Sequence, residues 1–459
     1  MTPRRPRPPG VDLGTRMAHW LLTIRPDQVS PARMHRVRIL LLDFLGCVLG
    51  ASRLPEARTV TPLVRPGNYR VPGHEQTMDL PSACMTWGLT GALLQWHDGY
   101  GRGGNHPSSS VLPVLLAQSQ EWGALLMPAL VGYEIANRLA HVTHPAQTLA
   151  GSAPTSSMGA IGAAAALCRW QNLDAACTAR ALGLAGFWAP IAAFEGLRAR
   201  GSAVPLHSGL AARAGYEAVE MARAGFDASE TLLEGRDGPG LLAFLGGIES
   251  SIATLEPEAW RGDTLDQVYL KPFPGCRHVH PAVEAALGLR TRCAGLPADW
   301  LSIEIETYGL AASFGALPRP QAELYDCLMS LPWCVALALL EGEPTAESVS
   351  SDRARTDLWS IASRITVRTH AGHDAAYPAE LGATLTIRKR DGTTFSESAV
   401  LRYASSGTRY SPEGPFGPVL DEQGCITKFV ALTSKLLSAR EQHALVHNLL
   451  TASPTPNSP

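Results

Sequence analysis

Apolar residues recur three and four apart through the first 260 or so positions, and that period predicts helices. "RVRILLLDFLGCVLGAS" reads as a buried helix ending in small residues. "SACMTWGLTGALLQWHD" and "ALLMPALVGYEIANRLAHV" repeat the spacing. "MGAIGAAAALCRW", "AACTARALGLAGFWA" and "HSGLAARAGYEAVEMARAG" are rich in Ala and Gly, which lets helix backbones approach closely. No alternating strand pattern is evident in this half.

After about residue 265 the pattern changes. "PAVEAALGLRTRCAG" predicts a helix with proline in its first turn. "LSIEIETY", "SRITVRTH", "GATLTIRKR" and "FSESAVLRY" alternate as strands, the last two joined by a turn at "DGT". "QAELYDCLMSLPWCVALALLEG" reads as one long helix kinked near Pro332. Two final helices are expected at about 419–435 and 437–452. The fold class is therefore α+β. The expected division is a tail over 1–12, an all-helical domain over 13–265, a smaller α/β domain over 266–410, helices over 411–452 that return to the helical domain, and a tail over 453–459.

Composition narrows the function classes. Apolar residues make up 45% of the 459 positions and the formal net charge is -2, so the chain is expected to be globular, with no nucleic-acid partner. The opening "MTPRRPRPPG" lacks the apolar core of a signal peptide, and no apolar run is long enough to span a bilayer. Nine scattered cysteines without a Cys-x-x-Cys pair point to reduced thiols in the cytoplasm. Cys276 is expected to be a free structural thiol.

Charge usage singles out one position. Of 39 Lys plus Arg, four are lysines, and none precedes Lys271. Lysine is a compact charge whose pKa moves on burial. Lys271 opens "KPFPGCRHVHP", where Arg277, His278 and His280 are crowded between prolines. A second cluster, "WHDGYGRGGNHPSSSVLP", holds Asp98, Tyr100, Arg102 and His106 among glycines. It is not a phosphate loop, because no Gly-Lys-Ser/Thr follows. A third, "EGLRARGSAVPLHSGLAA", places Arg198, Arg200 and His207 about a helix start. Each cluster also has a plain reading, as a glycine loop, a solvated turn or a structural histidine. His278 and His280 with His97 or His106 could ligate zinc, but in these clusters no His-x-x-x-His lies on a helix and no acidic cluster supports them, so no metal is expected.

Together these clusters resemble the MmgE/PrpD family. The resemblance rests on "LLDFLGCVLGAS", "HPSSSVLPVLLA", "GYEIANRLA", "GAIGAAAALCRW", "GSAVPLHSGLAARAGYEA" and "LKPFPGCRHVHPAVEAAL", in that order. It implies a large helical domain, a smaller α/β lid, an active site between them, a homodimer, and no metal or organic cofactor. It also implies dehydratase, decarboxylase or epimerase chemistry on small carboxylates.

Carried over residue by residue, the resemblance makes His106 and Lys271 the active-site histidine and lysine and places Asp98 near the family's acidic run. Two family positions are altered: Ala153 stands where the resemblance expects a histidine, and Val204 where it expects a lysine. Neither side chain can exchange a proton or form an ion pair. The catalytic candidates are therefore His106, Lys271, Asp98, Tyr100 and His278, and the substrate-binding candidates are Arg102, Arg200, His207 and Arg277. The expected activity is a cofactor-independent lyase with an altered substrate. An isomerase, a ring-forming enzyme or a non-catalytic binding protein on the same scaffold are the alternatives.

Overall fold

The computed structural model describes residues 12–229, 231–293, 297–319, 323–350, 355–402 and 420–455. The expected boundary at 410/411 lies outside these, as does most of each expected tail.

Helix α1 spans Leu13–Thr23 and α2 spans Pro31–Ala51. α2 starts on Ser30, whose Oγ accepts the Arg33 N–H, with Pro31 in the first turn where its missing donor costs nothing. Then come α3 (Leu80–Ala92), α4 (Trp122–Thr143), α5 (Pro154–Trp170), α6 (Ala175–Phe187) and α7 (Ala203–Arg223). The small residues do what their spacing suggests. A Cβ on Gly209 of α7 would stand 2.3 Å from the Met85 carbonyl of α3, so these helices meet backbone to backbone.

Two short strands correct the expectation of a strand-free first half: β1 (Pro66–Tyr69) and β2 (Gly99–Tyr100). β2 pairs antiparallel with β3 (Val268–Tyr269), Gly99 opposite Tyr269 and Tyr100 opposite Val268. A two-residue pairing leaves no periodic signal. It nonetheless joins the glycine cluster to the approach of Lys271.

The α/β part begins with α8 (His280–Arg290). The strands β4 (Trp300–Thr307), β5 (Ile365–Thr369), β6 (Glu380–Lys389) and β7 (Thr394–Arg402) form one sheet in the order β5-β4-β6-β7, with β4 and β5 parallel and the other pairs antiparallel. Ile303, Ile305, Leu385 and Ile387 are buried on one face, against which α8 packs. The β6–β7 turn falls at the expected place, with Asp391 Oδ1 accepting the Thr393 N–H at 2.8 Å.

The long kinked helix expected around Pro332 is instead two helices, Leu324–Leu328 and α9 (Leu331–Glu341). Ser330 caps the second through the Trp333 N–H, and Pro332 sits in its first turn. Serine followed by proline starts a new helix here rather than bending an old one. The final helices are α10 (Glu422–Thr433) and α11 (Ala439–Thr451). Both pack on α2, and Phe429 fits against Gly46.

Candidate active site

A cleft enclosing about 770 Å³, including its open mouth, lies where the two parts meet. Its helical side presents Gln95, His106, His144, Ala153, Thr155 and His207. Its other side presents Cys276, Arg277, His278, Phe314, Met329, Tyr377 and Leu381. The β2–β3 pairing brings these groups together, and it requires Gly99: a Cβ there would lie 2.3 Å from the Tyr269 hydroxyl and 3.0 Å from His106 Nδ1.

His106 is held by its main chain and its ring. Its N–H donates to Thr155 Oγ1 at 3.0 Å, and Nδ1 lies 2.6 Å from the Asp98 carbonyl oxygen. A carbonyl only accepts, so Nδ1 carries the proton and Nε2 keeps a free lone pair in the neutral ring. Burial, with Lys271 nearby, holds this imidazole well below its ordinary pKa. His207, in the first turn of α7, is arranged in the same way. Its Nδ1 contacts the Val204 carbonyl, and burial pushes its pKa down to about 4.

His278 differs. Its Nδ1 lies 2.6 Å from the Tyr308 hydroxyl, and its ring stacks on Phe314 with centroids 5.8 Å apart. Burial lowers its pKa to about 3. Arg277 is 7% exposed, with its guanidinium 4.2 Å over the Tyr269 ring. Stacking of this kind fixes the plane of the guanidinium.

The other sequence candidates lie off the cleft wall. Lys271 is fully buried and donates from Nζ to the Gln95 and Gly275 carbonyls at 2.6 and 3.1 Å. Burial brings its pKa down to about 7. The Asp98 carboxylate faces away from the cleft, accepting from Ser108 N, Ser108 Oγ and the Tyr133 hydroxyl at 3.2, 2.6 and 2.8 Å. Burial raises it to about 6. Tyr100 is buried edge-on to His141, and burial raises its hydroxyl pKa. Arg102 is half-buried and does not wall the cleft.

Arg200 ties the two parts together rather than reaching a ligand. Its two Nη atoms donate to the Ala316 and Leu317 carbonyls at 2.7 and 2.9 Å, and its Nε lies 3.2 Å from Asp326 Oδ1. Its backbone takes a left-handed φ of 55° to do so.

Sequence reasoning missed His144, Tyr377, Phe314 and Gln95. His144 had a usable signal, the His-Pro pair it shares with His106-Pro107 and His280-Pro281. It lines the cleft with Nδ1 3.2 Å from Thr148 Oγ1. His280, by contrast, stacks on Phe273 behind the wall. Cys276 lines the cleft, and burial raises its thiol pKa. Among the described residues, no three His, Cys, Asp or Glu side chains gather as a metal site, and no helix is long and apolar enough to cross a membrane.

The family model for the MmgE/PrpD N-terminal domain matches residues 15–250, and that for the MmgE/PrpD C-terminal domain matches residues 273–451. Cis-aconitate decarboxylase of Mus musculus is 28% identical over 372 residues, 76% of this chain and 70% of that protein. Its Homo sapiens counterpart is 26% identical over 360 residues, 75% and 69% of the two chains. Cis-aconitate decarboxylase of Aspergillus terreus is 23% identical over 414 residues, covering 83% of each.

Proposed function

The chain belongs to the MmgE/PrpD family, and on that premise we propose that it is a cofactor-independent lyase of the dehydratase or decarboxylase type. It would act by proton transfer at a carbon next to a carboxylate or carbonyl, on a substrate other than that of its named relatives. The relatives, all cis-aconitate decarboxylases, support the reaction type. Ala153 on the cleft wall and Val204 beneath His207 support the altered substrate.

The observation that carries the reading is the fixed tautomer of His106, whose Nδ1–H is spent on the Asp98 carbonyl. Its Nε2 is then a general base at the cleft. In a dehydration, Nε2 takes the carbon-bound proton, the C–H electron pair forms the double bond, and hydroxide leaves as water on taking a proton from the His278–Tyr308 pair. In a decarboxylation, the C–C electron pair stays on the substrate as carbon dioxide leaves, and the resulting carbanion takes a proton from the His278–Tyr308 pair. Arg277 stabilises the developing negative charge in either case. Lys271 and the Asp98 carboxylate act from behind the wall, through the loop that carries the base.

A homodimer in the cytoplasm completes the proposal. Phe187 and Phe244 are each 71% exposed, Ile248 is 64% exposed, and Leu149 and Trp188 are also open. Their segments adjoin, with Gly186 against Leu241 and Gly246 against Ala146. An exposed apolar patch of this kind marks an interface, and sedimentation of Phe244→Glu beside the native chain tests it. The nine cysteines are buried thiols, in keeping with a reducing compartment.

The test is incubation of the purified chain in deuterated water with a panel of carboxylic acids, followed by mass spectrometry and NMR. Loss of water or carbon dioxide, sharply slowed in His106→Gln, is expected. Deuterium uptake without change of skeleton would make the enzyme an isomerase and overturn the lyase reading.

A further inference from the structure

The charge inventory of the cleft constrains what it can hold. Among the described residues lining it, Arg277 carries a permanent charge and no carboxylate is present. The remaining titratable rings are His106, His144, His207 and His278, and each has its Nδ1 committed, to Asp98 O, Thr148 Oγ1, Val204 O and the Tyr308 hydroxyl. Burial favours their neutral forms. Lys271 is turned away, its Nζ engaged by two carbonyls.

Beside Arg277 and His278, on the same side of the cleft, the lining is apolar. Phe314, Met329, Tyr377 and Leu381 form it, and Ala153 adds a methyl from the helical side. Tyr377 is itself stacked on Tyr308 at 5.0 Å, so this surface is a fixed platform. Among the described lining residues no second permanent cation waits for a further carboxylate, which would lose its hydration there unpaired. An apolar body placed there gains from leaving water.

We propose that the cleft selects a monocarboxylate with an aromatic or branched apolar body. The carboxylate pairs with the Arg277 guanidinium, whose plane the Tyr269 ring fixes, and the body lies against Phe314, Met329, Tyr377 and Leu381. The proposal rests on the reading of this cleft as the active site, but it concerns binding and can fail or hold separately from the lyase chemistry.

Isothermal titration calorimetry on the full chain tests it with four probes: trans-cinnamate, its neutral amide, fumarate and trans-aconitate. Cinnamate is expected to bind about tenfold to a hundredfold more tightly than the amide, the usual size of a charge-assisted pair, and to outbind both polycarboxylates. Arg277→Gln is expected to bring cinnamate down to the affinity of the amide. Arg277→Lys, which keeps the charge and loses the fork, is expected to fall between. Circular dichroism of both variants checks that they fold. Tighter binding of trans-aconitate or fumarate than of cinnamate overturns the proposal. So does unchanged cinnamate affinity in folded Arg277→Gln, or no binding of any probe at millimolar concentration. If cinnamate-like acids bind as expected but no acid is turned over, the lyase reading fails and the binding assignment stands.

Discussion

Lys428 and Trp96 are 332 positions apart in the chain, and the ammonium of the first donates to the main-chain carbonyl of the second at 2.6 Å. The same Nζ meets Asp43 Oδ1 on α2, also at 2.6 Å. One residue before Trp96, the Gln95 carbonyl accepts from Lys271; two residues after it, the Asp98 carbonyl accepts from His106. The Trp96 indole closes the set by donating to the Lys271 carbonyl at 2.9 Å. Three carbonyls in a run of four residues are thus each held by a nitrogen from elsewhere in the chain. The His106 ring hangs from the last of them.

Lys428→Met should destabilise the fold by about 3–5 kcal/mol, because it leaves the Asp43 carboxylate buried without its counter-charge. Adding Asp43→Leu should recover a large part of that loss. Urea denaturation of the two variants beside the native chain measures both effects. Equal loss in the single and double variants would mean that the lysine acts by packing alone.

His106→Gln should lower turnover by roughly a hundredfold to ten-thousandfold, the usual contribution of a general base, with the denaturation midpoint nearly unchanged. Asp98→Asn should behave oppositely. Three donors converge on that carboxylate, and an amide cannot accept them all, so stability should fall by about 1–3 kcal/mol. Turnover should fall less than in His106→Gln, because His106 contacts the main chain of Asp98. A larger rate loss in Asp98→Asn would put the carboxylate itself in the chemistry.

Acid should unfold the protein through its buried rings. Burial lowers the folded pKa of His144 and His207 to about 4, below the unfolded value of ~6.5. Between these values the unfolded chain binds the extra protons, so stability rises with pH. The contribution of each ring is complete above about pH 6.5 and is lost as pH falls toward 4. After allowance for the open cleft, it is on the order of 2 kcal/mol per ring. Urea midpoints at pH 7 and pH 4.5 should differ accordingly, and His207→Gln should flatten the difference. An unchanged slope in that variant would remove His207 from the account.

Arg200→Ala should loosen the contact between the two parts of the chain without unfolding either. It removes the donors to Ala316 and Leu317 and one partner of Asp326, while Arg319 still pairs with that carboxylate. Amide hydrogen exchange over 314–318 should speed up, and KM should rise about tenfold as the wall carrying Phe314 loses its tie. Unchanged exchange in this segment would show that the strut carries no load.

Residue types and motif spacing made much of this site legible. His106, His207, Arg277 and His278 all reach the cleft, and each belongs to a cluster that stands out in the sequence. The lone early lysine at 271 was also conspicuous, but its ammonium lies behind the wall, held by two carbonyls. Side-chain direction was not legible: Asp98, Tyr100 and Arg200 have reactive groups, but tertiary contacts decide where they point. His144 and Tyr377 come from segments without dense chemistry, and they reach the cleft only because the chain folds back. The helices and the four-stranded sheet followed from periodicity, whereas β2 and β3, two residues each, are too short to have one.

The Lys428 contact also sets an order of events during synthesis. The loop at Trp96 leaves the ribosome 332 residues before the lysine that secures it, a delay of roughly 20 to 70 seconds at ordinary elongation rates. Throughout that interval the nascent helical part lacks its clamp, and for most of it the cleft also lacks its second wall. Translation that stalls before α10 therefore yields a chain in which the Trp96 carbonyl has not met Lys428.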